Sequence, residues 1–448
     1  MQSTRFIRAI LATALLGVTA VSSANWTWPH YSQGSNAFVP ITAAPLDLTA
    51  APAWTSGPHA LDSKIRPLIL GGKIYAVKTV NNTSPTPDVI AIKAFALSTG
   101  QFLWETPSLD AGDSVNNGSL SIPVIDVTSR VMYYGSGTSV QAINGDTGMI
   151  IWSSTLTAAN TAAGRAYGIV NSSPSVGVGK VYIRTTEFGS NEQVVALNSL
   201  TGAVLWSQAI PGTGVTSPLY NDFGAGDERL FIETDAGGNG GIVALNATTG
   251  ATLWSSSTVT VPWNVGTTAF WADFVLEGGS IYGVSYDFSA VGRLVKVDAL
   301  SGALEWNVAS LGTDSPPIVF SGNAYVSGGG FGDAKVARHS SVTGAQNYNV
   351  GLNGGGKFTY RSYMLATTNA LYLTEDDGFG SVIETPILRL DLATGAVVSS
   401  TPVSATARYS GAVSMDSTGA LYTVARNDGS LRAFGVPFTS VRDWSLVK

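Results

Sequence analysis

The side chains best suited to recognising a ligand fall into two recurring groups. In the first, arginine stands beside an aromatic ring: Arg165-Ala-Tyr167, Tyr360-Arg361-Ser-Tyr363 and Arg408-Tyr409, with Trp263, Phe270 and Trp271 at a similar place in their own segment. A guanidinium holds carboxylate or phosphate through paired donors, and an aromatic face stacks on a sugar or a flat ring, so these pairs point to binding. The plainer alternative is that the rings cap strand ends. The second group is acidic and comprises Glu187, Asp235, Asp287, Asp333 and the run Glu375-Asp376-Asp377-Gly378. Oxygen ligands beside a glycine turn can hold calcium, which makes Glu375, Asp376 and Asp377 the candidate metal ligands. Their spacing matches no defined calcium loop, and solvated acidic turns are the plainer explanation. Other chemistries are poorly supplied. The chain has no cysteine, which excludes thiolate metal sites, haem attachment and a lipid-anchoring cysteine. Its three histidines, His30, His59 and His339, lie far apart in sequence, and no phosphate-binding, zinc-protease or serine-hydrolase motif is present.

The elements that must carry these residues are set by a repeated phrase: a small or apolar residue, any residue, Asn or Asp, two residues, Thr-Gly, three residues, Trp. Copies run from Ala94 to Trp104, Ala142 to Trp152, Ala196 to Trp206 and Ala244 to Trp254, and a fifth from Lys296 to Trp306 keeps the frame. Gly344, Gly395 and Gly429 mark three degenerate copies. Successive motif glycines are 42 to 54 residues apart until the last interval, which is 34. Within each phrase, strand-like runs flank a turn whose Asn or Asp can accept bonds from the turn's own amides and whose Gly can take a positive φ. The phrase is therefore a hairpin of two outer strands. Two more strand signals precede each hairpin, as in Ser173-Pro-Ser-Val-Gly and Lys180-Val-Tyr-Ile-Arg184, making four strands per repeat.

A four-strand sheet cannot bury both faces alone, so successive sheets must stack around an axis. The expected fold is all-β, an eight-bladed β-propeller with four-stranded blades. The eighth repeat is short, while Pro45 to Trp54 stands unattached ahead of the first, so an N-terminal strand is expected to complete the last blade and close the ring. The expected division is 1–24 signal peptide, 25–44 N-terminal extension, 45–438 propeller and 439–448 tail.

The Ala-x-Asp-x-x-Thr-Gly-x-x-x-Trp phrase resembles the tryptophan-docking motif of pyrroloquinoline-quinone dehydrogenase propellers over about residues 45 to 438. The same repeat occurs in non-catalytic relatives such as the outer-membrane barrel-assembly lipoprotein. The resemblance implies that Trp104, Trp152, Trp206, Trp254 and Trp306 dock between neighbouring blades. It also implies pyrroloquinoline quinone and calcium as cofactors if the chain is catalytic. However, the quinone alcohol dehydrogenases are longer, carry a disulfide of adjacent cysteines over the cofactor, and bind calcium through Glu, Asn and Asp side chains inside the ring. Neither that disulfide nor a set of calcium ligands can be placed here.

The N-terminus reads as an export signal, with Arg5 and Arg8 ahead of an apolar stretch from Ala9 to Val21 and small residues at Ser22-Ser23-Ala24. A secreted chain is expected, extracellular or, in a bacterium, periplasmic. No later run is long enough to span a bilayer. The net charge of −6, without any basic stripe, argues against a nucleic-acid partner. In a eukaryotic host, Asn81, Asn82, Asn117 and Asn171 would be glycosylation acceptors; Asn25 and Asn246 also begin sequons, but Asn246 occupies a turn-capping place. The expectation is a monomeric, non-enzymatic binding or scaffold propeller needing no cofactor, its loop face offered to a protein, glycan or cell-surface partner. A quinone- and calcium-dependent dehydrogenase of alcohols or sugars is the alternative.

Overall fold

The computed structural model describes residues 37–42, 44–80, 89–109, 121–136, 139–156, 173–185, 192–211, 216–235, 240–256, 269–270, 272–286, 291–329, 334–352, 363–375, 385–402, 409 and 412–435. The expected export signal (1–24), the tail and the four sequons at Asn81, Asn82, Asn117 and Asn171 lie outside them.

Eight antiparallel sheets form eight blades, and among the described residues there is no helix. The chain is an eight-bladed β-propeller. In each of the first seven blades the chain runs from the innermost strand, a, to the outermost, d. Blade 3 is representative, with Ser175–Gly177, Lys180–Thr185, Gln193–Asn198 and Val204–Ala209 paired in that order. Blade 5 has an additional short strand, Ala269–Phe270, which pairs with Ser280–Tyr286 beside Val275–Glu277. The middle strands are mostly apolar because a neighbouring blade covers each of their faces. In blade 3, Val181, Tyr182 and Ile183 are all at 0% exposure, as are Val194 to Leu197.

The repeated phrase builds its turn as its composition requires. Asn198 Oδ1 accepts the amides of Leu200 and Thr201, and Asn246 Oδ1 those of Thr248 and Thr249. The motif glycines adopt φ between +62° and +77°, a region that L side chains enter only with strain. Gly100, Gly148, Gly202, Gly250 and Gly344 receive tryptophan rings, and Gly395 receives the ring of Tyr348. A Cβ on Gly148 would lie 2.4 Å from Trp104 Cε3, and one on Gly202 would lie 2.5 Å from Trp152 Cε3. Each indole thus lies flat on the turn of the next blade, and those of Trp152, Trp206 and Trp254 also donate to a carbonyl there, Ser199, Ala247 and Ala299 respectively. A tyrosine of strand b repeats the bond from inside: Tyr75 donates to Gly145 O at 2.9 Å, Tyr133 to Ser199 O and Tyr182 to Ala247 O.

Blade 8 closes the ring with both chain ends. Its inner strands are Ser414–Met415, Leu421–Val424 and Leu431–Phe434, and its outer strand is Trp54–Thr55, which pairs with Ala433 and Arg432. The turn at Asp428-Gly429 is not an eighth copy of the c–d hairpin. It joins strands b and c at the opposite end of the blade, because the c–d connection is missing where two termini meet. This explains the short last interval between glycines. The docking tryptophan of blade 8 is Trp54, whose ring lies 2.4 Å from where a Cβ on Gly100 would be and whose Nε1 donates to Leu97 O.

Candidate binding face

The topology sorts the connections by face. The a–b and c–d turns emerge at one end of the ring, and the b–c connections and the longer d–a connections emerge at the other. Rigid strands therefore present the longer segments together, where binding residues usually sit.

Where the chain enters the inner strands on this face, polar side chains link blade to blade. The amide of Ile122 donates to Ser173 Oγ, that of Ser173 donates to Ser217 Oγ, and Ser217 donates through its amide and hydroxyl to the two carboxylate oxygens of Asp273. Those contacts carry the chain of bonds from blade 2 to blade 5. Ser414 Oγ then donates to Pro67 O across the closing seam. Arg66, almost fully buried, reaches from blade 1 to the carbonyls of Tyr363 and Met364 ahead of blade 7, at 3.1 Å each. Its burial pushes the guanidinium pKa down to about 9, which still leaves a cation at neutral pH.

A second buried group joins blades 3 and 4. The Arg184 guanidinium donates to Glu192, to Thr216 Oγ1 at 3.3 Å and to Glu233 at 3.5 Å, with all three charged side chains at 0–1% exposure. In blade 8, Arg432 donates to Tyr409 Oη at 2.9 Å, lies over the Tyr409 ring and pairs with Asp428. Elsewhere, His339 is buried between Ser310 Oγ and Gly344 O, each 3.1 Å away, and burial lowers its pKa. His59 stacks on Phe102 and meets Phe95 edge-on, and its pKa is likewise lowered, by burial and by Lys93.

Of the ligand-binding candidates, Arg165, Tyr167, Trp263, Trp271, Arg361 and Arg408 lie outside the described residues, as do Asp376 and Asp377. Tyr363 is half-buried with Arg66 over its ring, and Tyr409 is buried. Glu375 is buried at the start of the blade 7 b–c connection. The sequence reading passed over Arg66, Arg184, Glu192, Glu233 and Arg432. A signal existed for two of them. Two residues after the strand-b aromatic the other blades carry Val77, Gly135, Val284, Ser327, Thr374 or Val424, whereas blades 3 and 4 carry the charged Arg184 and Glu233.

The family model described as "Outer membrane protein assembly factor BamB" matches residues 46–189, 136–262 and 238–437, which together span almost the whole ring. The chain belongs to this family. No curated protein matches it by sequence. Among solved structures, this BamB-family chain is similar to a quinohemoprotein alcohol dehydrogenase from Pseudomonas putida, at 14% identity and a TM-score of 0.67, over 93% of this chain and 81% of that one. A quinohemoprotein alcohol dehydrogenase from Comamonas testosteroni gives 12% and 0.65 over the same shares. A europium-containing methanol dehydrogenase gives 13% and 0.63 over 92% and 89%. At these identities the likeness concerns the fold.

Among the described residues no three His, Asp or Glu side chains gather to hold a metal ion, and on this face Arg66, Arg184 and Arg432 bridge neighbouring segments.

Proposed function

We propose that this BamB-family propeller is an exported, monomeric binding or scaffold protein that works without a cofactor and offers its loop face to a protein, glycan or cell-surface partner. The observation that carries this reading is the sorting of connections: capped turns close one end of the ring, while the b–c segments and the longer d–a segments leave the strands at the other. The inter-blade bonds of Arg66, Ser217 and Arg184 support it, since they brace that end as a rigid platform. Arg361 and Tyr363 are the residues of first choice for contacting the partner.

Immobilised protein would be screened against a glycan array and a panel of cell-surface proteins, with Arg361→Ala and Tyr363→Ala as controls. A ligand whose binding either substitution abolishes is the expected result, and the absence of any such ligand counts against the reading. The dehydrogenase alternative, favoured by the fold of the alcohol and methanol dehydrogenases, is tested by adding pyrroloquinoline quinone and calcium to pure protein. A quinone absorbance shift together with dye reduction by alcohols or sugars would overturn the non-enzymatic proposal.

A further inference from the structure

The N-terminal segment does more than lend a strand to blade 8. Before reaching Trp54 it passes along the innermost strand of blade 7, Leu365–Ala366, on the edge that faces the ring axis. Leu365 and Ala366 pair with Tyr372 and Leu371 on their outer side. On the other side the Ala366 amide donates to Ala37 O, and Val39 N donates to Ala366 O at 2.8 Å, forming a parallel bridge centred on Phe38. Strand a is the innermost element of its blade, so a chain paired to its free edge lies within the axial channel. The parallel sense means that residues 37 to 39 run from the loop side toward the turn side.

At the turn end the segment is held from several directions. The Phe38 ring stacks on Phe320 of blade 6, with centroids 4.3 Å apart and planes within 5°, and Phe320 in turn stacks on Tyr325. Thr368 and Asn369, in the a–b turn of blade 7, donate to Ile41 O and Thr42 O. Leu46 N donates to Tyr372 Oη, and the Leu46 side chain packs where a Cβ on Gly435 of blade 8 would be. Ala37 and Val39 are buried, at 2% and 0% exposure. The segment from Ala37 to Leu46 thus contacts blades 6, 7 and 8.

We infer that residues 37–42 are a built-in plug strand that occupies the axial channel along the inner strand of blade 7 and against blade 6 at the turn face. Its physical basis is a β-bridge on an otherwise open strand edge, reinforced by the stack of Phe38 on Phe320. The inference is independent of whether the loop face binds a partner.

Because the chain has no cysteine, a single introduced thiol reports its own surroundings. Phe320→Cys is placed under the Phe38 ring, and Leu200→Cys, at a position 81% exposed on an outer turn, is the reference. With a small charged thiol reagent, Phe320→Cys should react at least about tenfold more slowly than the reference, and adding Phe38→Gly should restore at least about tenfold in rate. Near-UV circular dichroism of the docked tryptophans should be unchanged. Equal rates for Phe320→Cys and the reference, or a rate indifferent to Phe38→Gly, would overturn the plug. Should those variants fail to fold, hydrogen exchange on the unaltered chain decides. Slow, jointly protected amides at Val39 and Ala366 are expected, and exchange at the rate of an open peptide would refute it.

Discussion

Gly148 tests whether the tryptophan ring sets the geometry of the blade boundary. Its φ is +74°, and an added Cβ would lie 2.4, 2.8 and 2.9 Å from Cε3, Cζ3 and Cδ2 of Trp104, where carbon contacts normally lie at about 3.5 to 4.0 Å. Gly179 is the matched control, since its φ is +68° and nothing lies within 4 Å of the added atom. Gly179→Ala therefore meets backbone strain alone, worth about 1–2 kcal/mol. Gly148→Ala adds an overpacking cost of about 1–3 kcal/mol, for a total of roughly 2–5 kcal/mol. If the extra cost is the indole, it disappears when the indole is removed. The double variant Gly148→Ala with Trp104→Ala should then be less destabilised than the sum of the singles by about 1–3 kcal/mol. Urea unfolding followed by far-UV circular dichroism measures all four. Equal losses at Gly148 and Gly179, or additive singles, would refute the docking argument.

Two further outcomes follow from buried ionisable groups. His339 has a folded pKa below its ordinary 6.5 because burial disfavours the imidazolium, so the unfolded chain binds more protons as pH falls. Its contribution is complete above about pH 6.5 and is lost as pH drops from there toward the folded value. Urea midpoints from pH 7.5 to 5 should fall less steeply in His339→Gln than in the unaltered chain, and identical slopes would exclude His339 as the source. Arg184→Met leaves Glu192 and Glu233 buried without their shared cation and should destabilise by about 3–5 kcal/mol, whereas Arg184→Lys, which retains the charge, should lose less. A loss under about 1 kcal/mol in Arg184→Met by the same unfolding assay would show that the pair does not hold blades 3 and 4 together.

The architecture was legible because it repeats. Eight hairpin glycines, five complete tryptophan phrases and an unattached N-terminal stretch led to eight blades and a ring closed by the N-terminus, both of which the structure has. Gly429 misled, because a turn in Asp-Gly looks the same in sequence whichever strands it joins, and Trp54 was missed because its phrase is split between the two ends of the chain. The face of the ring was harder to read. Arg432 and Tyr409 are 23 residues apart, and Arg66 and Met364 are 298 apart, so no local pattern announces them.

The amino-acid sequence by itself determined the hairpins, their caps and the need for sheets to stack, because those rest on short-range turn chemistry and on apolar strands with no other way to bury two faces. Only the tertiary structure decided which charges share a buried space, as Arg184 does with Glu192 and Glu233, and which backbone edge the first residues cover along the axis. The Arg184–Glu233 pair joins two blades and the bridge at Ala366 joins the first described residues to blade 7, so these partners are chosen by the closure of the ring.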